Sequence, residues 1–244
     1  VTAAPARDVR GPEMFARYAG APNRLGYCGP ADPAAMDSAD RIRAAAPHFS
    51  GAWPYLRVLS RLTGIADPLD HRLVESYWLG GGVGETIDPL TFTAELLATI
   101  GSGAQWSHLT EDLAAEAAAN HCFHVLGVYP WTRLPVTGHD DHPLHVLDSC
   151  RITSATVTAC DSAGFEVRCR RLTRTGTTLT RTEPVTTRVT ADERTPPEIA
   201  PGDLVALHWG RVCDRLTAEQ HEALENSTAR QLTLTNRRLV RARR

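Results

Sequence analysis

The sequence contains no lysine; all 26 of its basic side chains are arginine. Schiff-base catalysis and a phosphate-loop lysine are thereby excluded. No apolar run approaches the ~20 residues needed to span a bilayer, and the opening stretch VTAAPARDVRGPEMF lacks the apolar core of a signal peptide. A cytoplasmic protein with no membrane partner is expected. No CxxC pair occurs, which argues against a structural zinc ribbon, and neither GxSxG nor HExxH is present. The formal net charge is −2, so no basic excess points to nucleic acid. The basic tail NRRLVRARR reads as a solvated end. LGGGVGE (79–85) lacks the strand-then-helix context of a dinucleotide loop, and Trp53, Trp78, Trp106, Trp131 and Trp209 read as packing residues. In a reducing compartment the six cysteines (Cys28, Cys122, Cys150, Cys160, Cys169, Cys213) are free thiols.

What is present divides the chain in two. Between about residues 12 and 126 alanine and leucine recur with helical spacing. DPAAMDSADRIRAAAPHF sets Met36, Ala39, Ile42 and Ala46 on one face. WPYLRVLSRLTG carries Pro54 near its start and Gly64 as a stop, and DPLDHRLVESYWLGG repeats this with Asp67–Pro68 and Gly80. DPLTFTAELLATIGSG begins on an Asp88 cap and ends at Gly101. LTEDLAAEAAANHCFHVL predicts a fifth helix from Thr110. PWTRLPVTGHDDHPLH (130–145) reads as a linker in which His139, His142 and His145 sit on a solvated loop. Beyond it, short Thr- and Val-rich alternating runs separated by DSAG and RTG predict four or five strands. A capping box, Thr217 with Gln220, then opens a terminal helix whose inward face is Leu224, Thr228, Gln231 and Leu232. The expected fold is α+β: an N-terminal all-helical domain (1–145, ending in the Pro/His-rich linker), followed by a small antiparallel β-barrel with a C-terminal helix (146–244).

One residue breaks the strand pattern. In PGDLVALHWGRVCDRLTAEQ, His208 is a titratable ring in a strand that otherwise wants apolar side chains. Alone it reads as a packed histidine. However, GDLVALHWGRVCDRLTAEQHEAL resembles the end of the small β-barrel chaperones that assemble nickel–iron hydrogenases: a Gly-Asp turn, a strand ending in histidine, then a helix. CRITSATV supplies Cys150 and Val157 as that family supplies its first cysteine and a following valine. The resemblance covers residues 148–226. Cys150 is internal here, Ser154 stands where the family has proline, and the helical segment precedes the match. The resemblance implies a barrel fold, iron or an iron fragment as cofactor or cargo, and Cys150 and His208 as its ligands. It also implies a protein partner: a metalloenzyme subunit or maturation factor. The N-terminal stretches FARYAGAPNRLGYCGPAD and HCFHVLGVYPW resemble segments of an uncharacterised actinobacterial family.

The residues allow further donors. A thiolate with a neutral imidazole suits iron, and also zinc or copper. His121 and His124 share one helical face. They are either an ordinary packed pair or, if that face docks on the barrel, extra ligands beside Cys150. Cys28 lies in a Gly-Pro turn, where it is either structural or a thiolate stabilised by backbone donors. Two functions follow: an accessory protein that binds and carries iron, or a non-haem iron enzyme acting on a small-molecule substrate in specialised metabolism, its metal held between the two domains. A scaffold that has lost the metal is the third alternative.

Overall fold

Local signals start and stop most of the N-terminal helices. A computed structural model describes residues 8–32, 36–101, 109–129, 142–191, 193–196 and 198–241. Its helices are α1 (Arg10–Arg24), α2 (Ala39–Ala45), α3 (Trp53–Thr63), α4 (His71–Leu79), α5 (Pro89–Ile100), α6 (His121–Phe123), α7 (His142–Cys150) and α8 (Ala218–Arg241). Asp88 caps α5 by accepting from the Thr91 amide at 2.8 Å, with Pro89 behind it. Gly64 ends α3 in the left-handed region (φ 73°), where a side chain is disfavoured. The capping box closes both ways: Thr217 N–H donates to Gln220 Oε1 at 2.9 Å, and Gln220 N–H to Thr217 Oγ1 at 3.1 Å.

Two helix starts differ from the sequence reading. α4 begins at His71, because Asp70 accepts from the Arg72 amide at 3.0 Å, while Asp67 caps only the turn before it. The helix expected from Thr110 breaks into a 3₁₀ segment (Glu111–Glu116) and the short α6, which Asn120 caps and which widens into a π-turn at His124–Val128. Asn120 takes the Phe123 amide at 3.1 Å and so restarts the chain at His121. Of the expected linker, residues 130–141, with His139 and Trp131, lie outside the described residues, as does Trp106. Its end, residues 142–145, is the first turn of α7.

The strands are β1 (Thr153–Asp161), β2 (Gly164–Cys169), β3 (Leu172–Thr175), β4 (Thr178–Arg181), β5 (Val185–Val189), β6 (Leu204–His208) and β7 (Arg211–Arg215). Five of them form one antiparallel sheet in the order β5-β2-β1-β6-β7. The expectation of a closed barrel is corrected here. Among the described residues the edges β5 and β7 share only an isolated bridge, Thr190 with Arg211. β3 and β4 pair with each other and leave the sheet. Asn236 of α8 explains this, since its amide both donates to and accepts from the Leu179 backbone at 2.8 Å. The ribbon edge that could have extended the sheet is satisfied by a helix.

The largest hydrophobic core runs through both parts of the chain. It joins Phe15, Tyr18, Tyr55, Tyr77 and Trp78 of the helices to Ile152 just before β1, to Ala206 and Cys213 of the sheet and to Leu224 of α8. Each fully buried large side chain contributes about 1.5–3 kcal/mol. Gly80 lets α8 close on the end of α4: a Cβ there would stand 2.0 Å from Ser227 Oγ. Arg17 of α1 adds an ion pair to Asp214 of β7 at 2.6 Å. No helix among the described residues is long and apolar enough to cross a membrane.

Candidate metal centre

Three elements bring one donor each to a single point. His208 ends β6, Cys150 ends α7, and His121 starts α6. One ligand atom from each, two imidazole nitrogens and the Cys150 sulfur, lie within 4.8 Å of one another. A tetrahedral shell with bonds of about 2.0–2.3 Å sets its donors roughly 3.3–3.8 Å apart. Side-chain adjustment of about 1 Å therefore closes the set.

The first histidine is oriented by a break in a helix. Pro22 lies inside α1 and has no N–H, so the Tyr18 carbonyl loses its helical partner. His208 Nδ1 lies 2.7 Å from that carbonyl oxygen. A carbonyl only accepts, so Nδ1 carries the proton and Nε2 is a bare lone pair. Among the described residues the buried Nε2 makes no hydrogen bond, although the Cys150 carbonyl stands close enough to favour a proton there. An unsatisfied buried acceptor costs about 1–3 kcal/mol. A ring that donates one nitrogen to a carbonyl and keeps the other bare is how metal-binding histidines are held.

His121 is buried with both nitrogens engaged. Its Nε2 donates to the Cys150 carbonyl at 2.9 Å, and its Nδ1 meets the Tyr77 hydroxyl at 3.1 Å. Tyr77 can donate or accept. When it accepts from Nδ1–H instead, Nε2 becomes free to ligate. The switch costs one hydrogen bond to Cys150 and leaves Tyr77 paired.

The electrostatics keep the rings neutral. Burial drives the His121 pKa well below the ordinary histidine range, and His208 and His124 add to the shift. Burial lowers His208 to about 4, against the pull of the Tyr18 and Cys150 carbonyls. Neutral imidazole is the ligating form, so no proton competes. Cys150 is pushed up to about 12, first by burial and then by Cys28, while the Trp209 side chain opposes the rise. A cation beside the sulfur would reverse that shift, since a coordinating thiol is deprotonated.

The remaining sequence candidates stand around this centre. His124 is one ring away, 5.9 Å from His121 between centroids, but it packs edge-on to Tyr55 and Tyr129 and against Gly51. Burial lowers its pKa to about 3. It is a neighbour of the three donors and not one of them. Cys28 sits in a turn fixed by buried Asn23, whose amide donates to the Cys28 and Pro30 carbonyls at 2.9 and 2.8 Å. Burial pushes the Cys28 thiol up to about 12, as it does that of Cys150. His142 and His145 are on the exposed side of α7.

Sequence reasoning missed Tyr18, Tyr77 and Trp209. Pro22 inside a helical run was a usable signal for Tyr18, because it frees the carbonyl four residues back. Nothing in the pattern marks Tyr77. Trp209 and Gly210 form the two-residue β6–β7 turn with φ of 51° and 71°. Tryptophan in the left-handed region is a strained choice. It is held by its own N–H to the Ser149 carbonyl at 2.9 Å and by stacking on Tyr27, centroids 4.2 Å apart.

Residues 7–242 match a family described as a family of unknown function, DUF6390. No curated protein and no solved structure matches the chain.

Proposed function

We propose that this chain, which belongs to the DUF6390 family, is a metal-binding protein whose ion is held by His121, Cys150 and His208. The observation that carries the reading is the buried, unpartnered Nε2 of His208, aligned by Tyr18 and grouped with a sulfur and a second imidazole. One sulfur and two nitrogens suit iron(II), zinc and copper alike. Iron is preferred because residues 148–226 resemble the hydrogenase assembly chaperones, with Cys150 and His208 at the matching places. In that reading the protein is an accessory factor that carries iron or an iron fragment to a metalloenzyme subunit or maturation factor.

A second reading has its own support. Three protein ligands leave coordination positions open, which is the pattern of catalytic rather than structural sites. His121 and His208 are both buried, at 5% and 1% exposure, which favours a resident ion over one handed on. The protein would then be a non-haem iron enzyme acting on a small molecule.

Anaerobic purification followed by elemental analysis and infrared spectroscopy separates the two. Iron with cyanide and carbonyl stretching bands, lost in Cys150→Ala, supports the carrier. Iron without those bands supports the resident metal. A wild-type protein that takes up no stoichiometric metal, cobalt(II) included, overturns both.

A further inference from the structure

We infer that the cavity beside the β6–β7 turn binds a small organic carboxylate, gripped by Arg171 and covered on the metal side by Trp209. The cavity measures about 470 Å³ and is bounded by α7, the sheet and the loop after α1. That volume falls within the range of small-molecule sites, about 300–1,000 Å³.

Its wall is divided by chemistry. On one side stand Leu25, Tyr27, Leu207 and Trp209, which offer apolar and aromatic surface. On the other, Asp148 lies buried between two guanidinium groups. Arg151, 3% exposed, donates to Asp148 Oδ1 through Nε at 3.1 Å and Nη2 at 2.9 Å. Arg171 donates through Nε to Oδ2, and the Leu172 amide adds a bond to Oδ1 at 2.8 Å. Two guanidinium groups against one carboxylate leave one positive charge in excess.

That excess is presented by Arg171. Its side chain is 41% exposed, and among the described residues only its Nε is engaged, on Asp148. With Nε anchored on Asp148, the free edge of the guanidinium is fixed in direction, ready for the two-pronged contact that a carboxylate makes. One excess charge and one apolar wall match a ligand with one carboxylate and an apolar body.

The cavity reaches the metal donors at Trp209. Ser149 and Leu207 line it and directly precede Cys150 and His208 in the chain. Trp209 lines it as well and directly follows His208 in the chain. The claim that the carboxylate is the metal's substrate rests on the metal-binding reading. The claim that it binds does not.

The test uses the full chain, metal-free and cobalt(II)-loaded, with benzoate as probe and binding followed by saturation-transfer NMR. Benzoate is expected to bind the metal-free protein. Arg171→Gln should weaken it on the order of tenfold, the worth of one charged hydrogen bond. Arg61→Gln, an exposed arginine paired with Glu95 elsewhere, should not. Benzamide, the neutral isostere, should bind unaltered protein on the order of tenfold more weakly than benzoate, which tests charge recognition without any substitution. Absence of benzoate binding, equal binding of benzamide, or indifference to Arg171→Gln overturns the pocket. In the loaded protein, benzoate should also shift the cobalt absorption bands, and bands that do not move overturn its place beside the metal. Cobalt uptake without benzoate binding sinks the pocket and leaves the metal reading. Benzoate binding without cobalt uptake does the reverse.

Discussion

His208 donates its Nδ1–H to the carbonyl of Tyr18 at 2.7 Å, across 190 residues of chain. The carbonyl is available because Pro22, four residues on, has no N–H to offer it. A helix defect in the first 25 residues therefore sets the tautomer of a ligand candidate near the far end. Pro22→Ala supplies an N–H that competes for the same oxygen. The expected result is a helix no less stable, because the proline penalty is removed, and a metal affinity lowered on the order of tenfold as the His208 ring loses its orienting bond. Thermal unfolding of the metal-free protein and a competitive chelator titration read the two effects separately.

Tyr77 is the corresponding support for His121, at 3.1 Å from Nδ1. Its hydroxyl allows the ring to release Nε2. Tyr77→Phe keeps the buried ring volume and removes that option. Cobalt(II) affinity should fall by roughly 10–100-fold, the usual effect of removing the partner behind a metal-binding histidine. Unchanged affinity would exclude His121 as a ligand through Nε2.

Trp209 separates strain from shielding. A left-handed conformation costs a non-glycine residue about 1–2 kcal/mol, and aromatic stacking contributes about 0.5–1.5 kcal/mol. Trp209→Gly relieves the strain but forfeits the stacking and the half-buried indole surface, so a net loss of about 1–3 kcal/mol is expected. The cover over Cys150 is removed at the same time. Alkylation of Cys150 by iodoacetamide, followed by peptide mass spectrometry, should accelerate several-fold. A rate equal to that of the unaltered protein would show that the indole covers nothing.

Acid sensitivity should be traceable to Glu225. This residue of α8 accepts from Ser154 Oγ of β1 at 2.5 Å and pairs with Arg181 of β4 at 2.6 Å. Burial alone would raise its pKa; the Ser154 bond and the Arg181 contacts outweigh that, and it lies below the ordinary glutamate value of 4.5. A carboxyl with a depressed folded pKa contributes stability above its unfolded pKa. That contribution is lost as pH falls from about 4.5 through the lower folded value. Urea midpoints measured across this window should converge for the unaltered protein and Glu225→Gln. A difference that persists to the acid end would contradict the assignment.

Much of the scaffold was legible as local chemistry. Asp88 and Gly64 bound helices because caps and left-handed stops act within a few residues, and the Thr217–Gln220 box does the same for α8. The alternating runs gave β1, β2 and β6, since period-two burial is written along a single strand. Sheet closure was not legible. Whether β3 and β4 extend the sheet depends on Asn236, a residue more than fifty positions away, reaching the Leu179 backbone.

The centre divides the same way. Residue types and spacing were enough to mark Cys150, His208, His121 and His124 as candidate donors. That His121 groups with Cys150 and His208, while His124 packs on Tyr55 and Tyr129, emerges only from the folded packing. The cause is position along one helical face: the two rings stay stacked 5.9 Å apart, so His121 meets Tyr77 and the Cys150 carbonyl, while His124, one turn on, reaches Tyr55 and Tyr129.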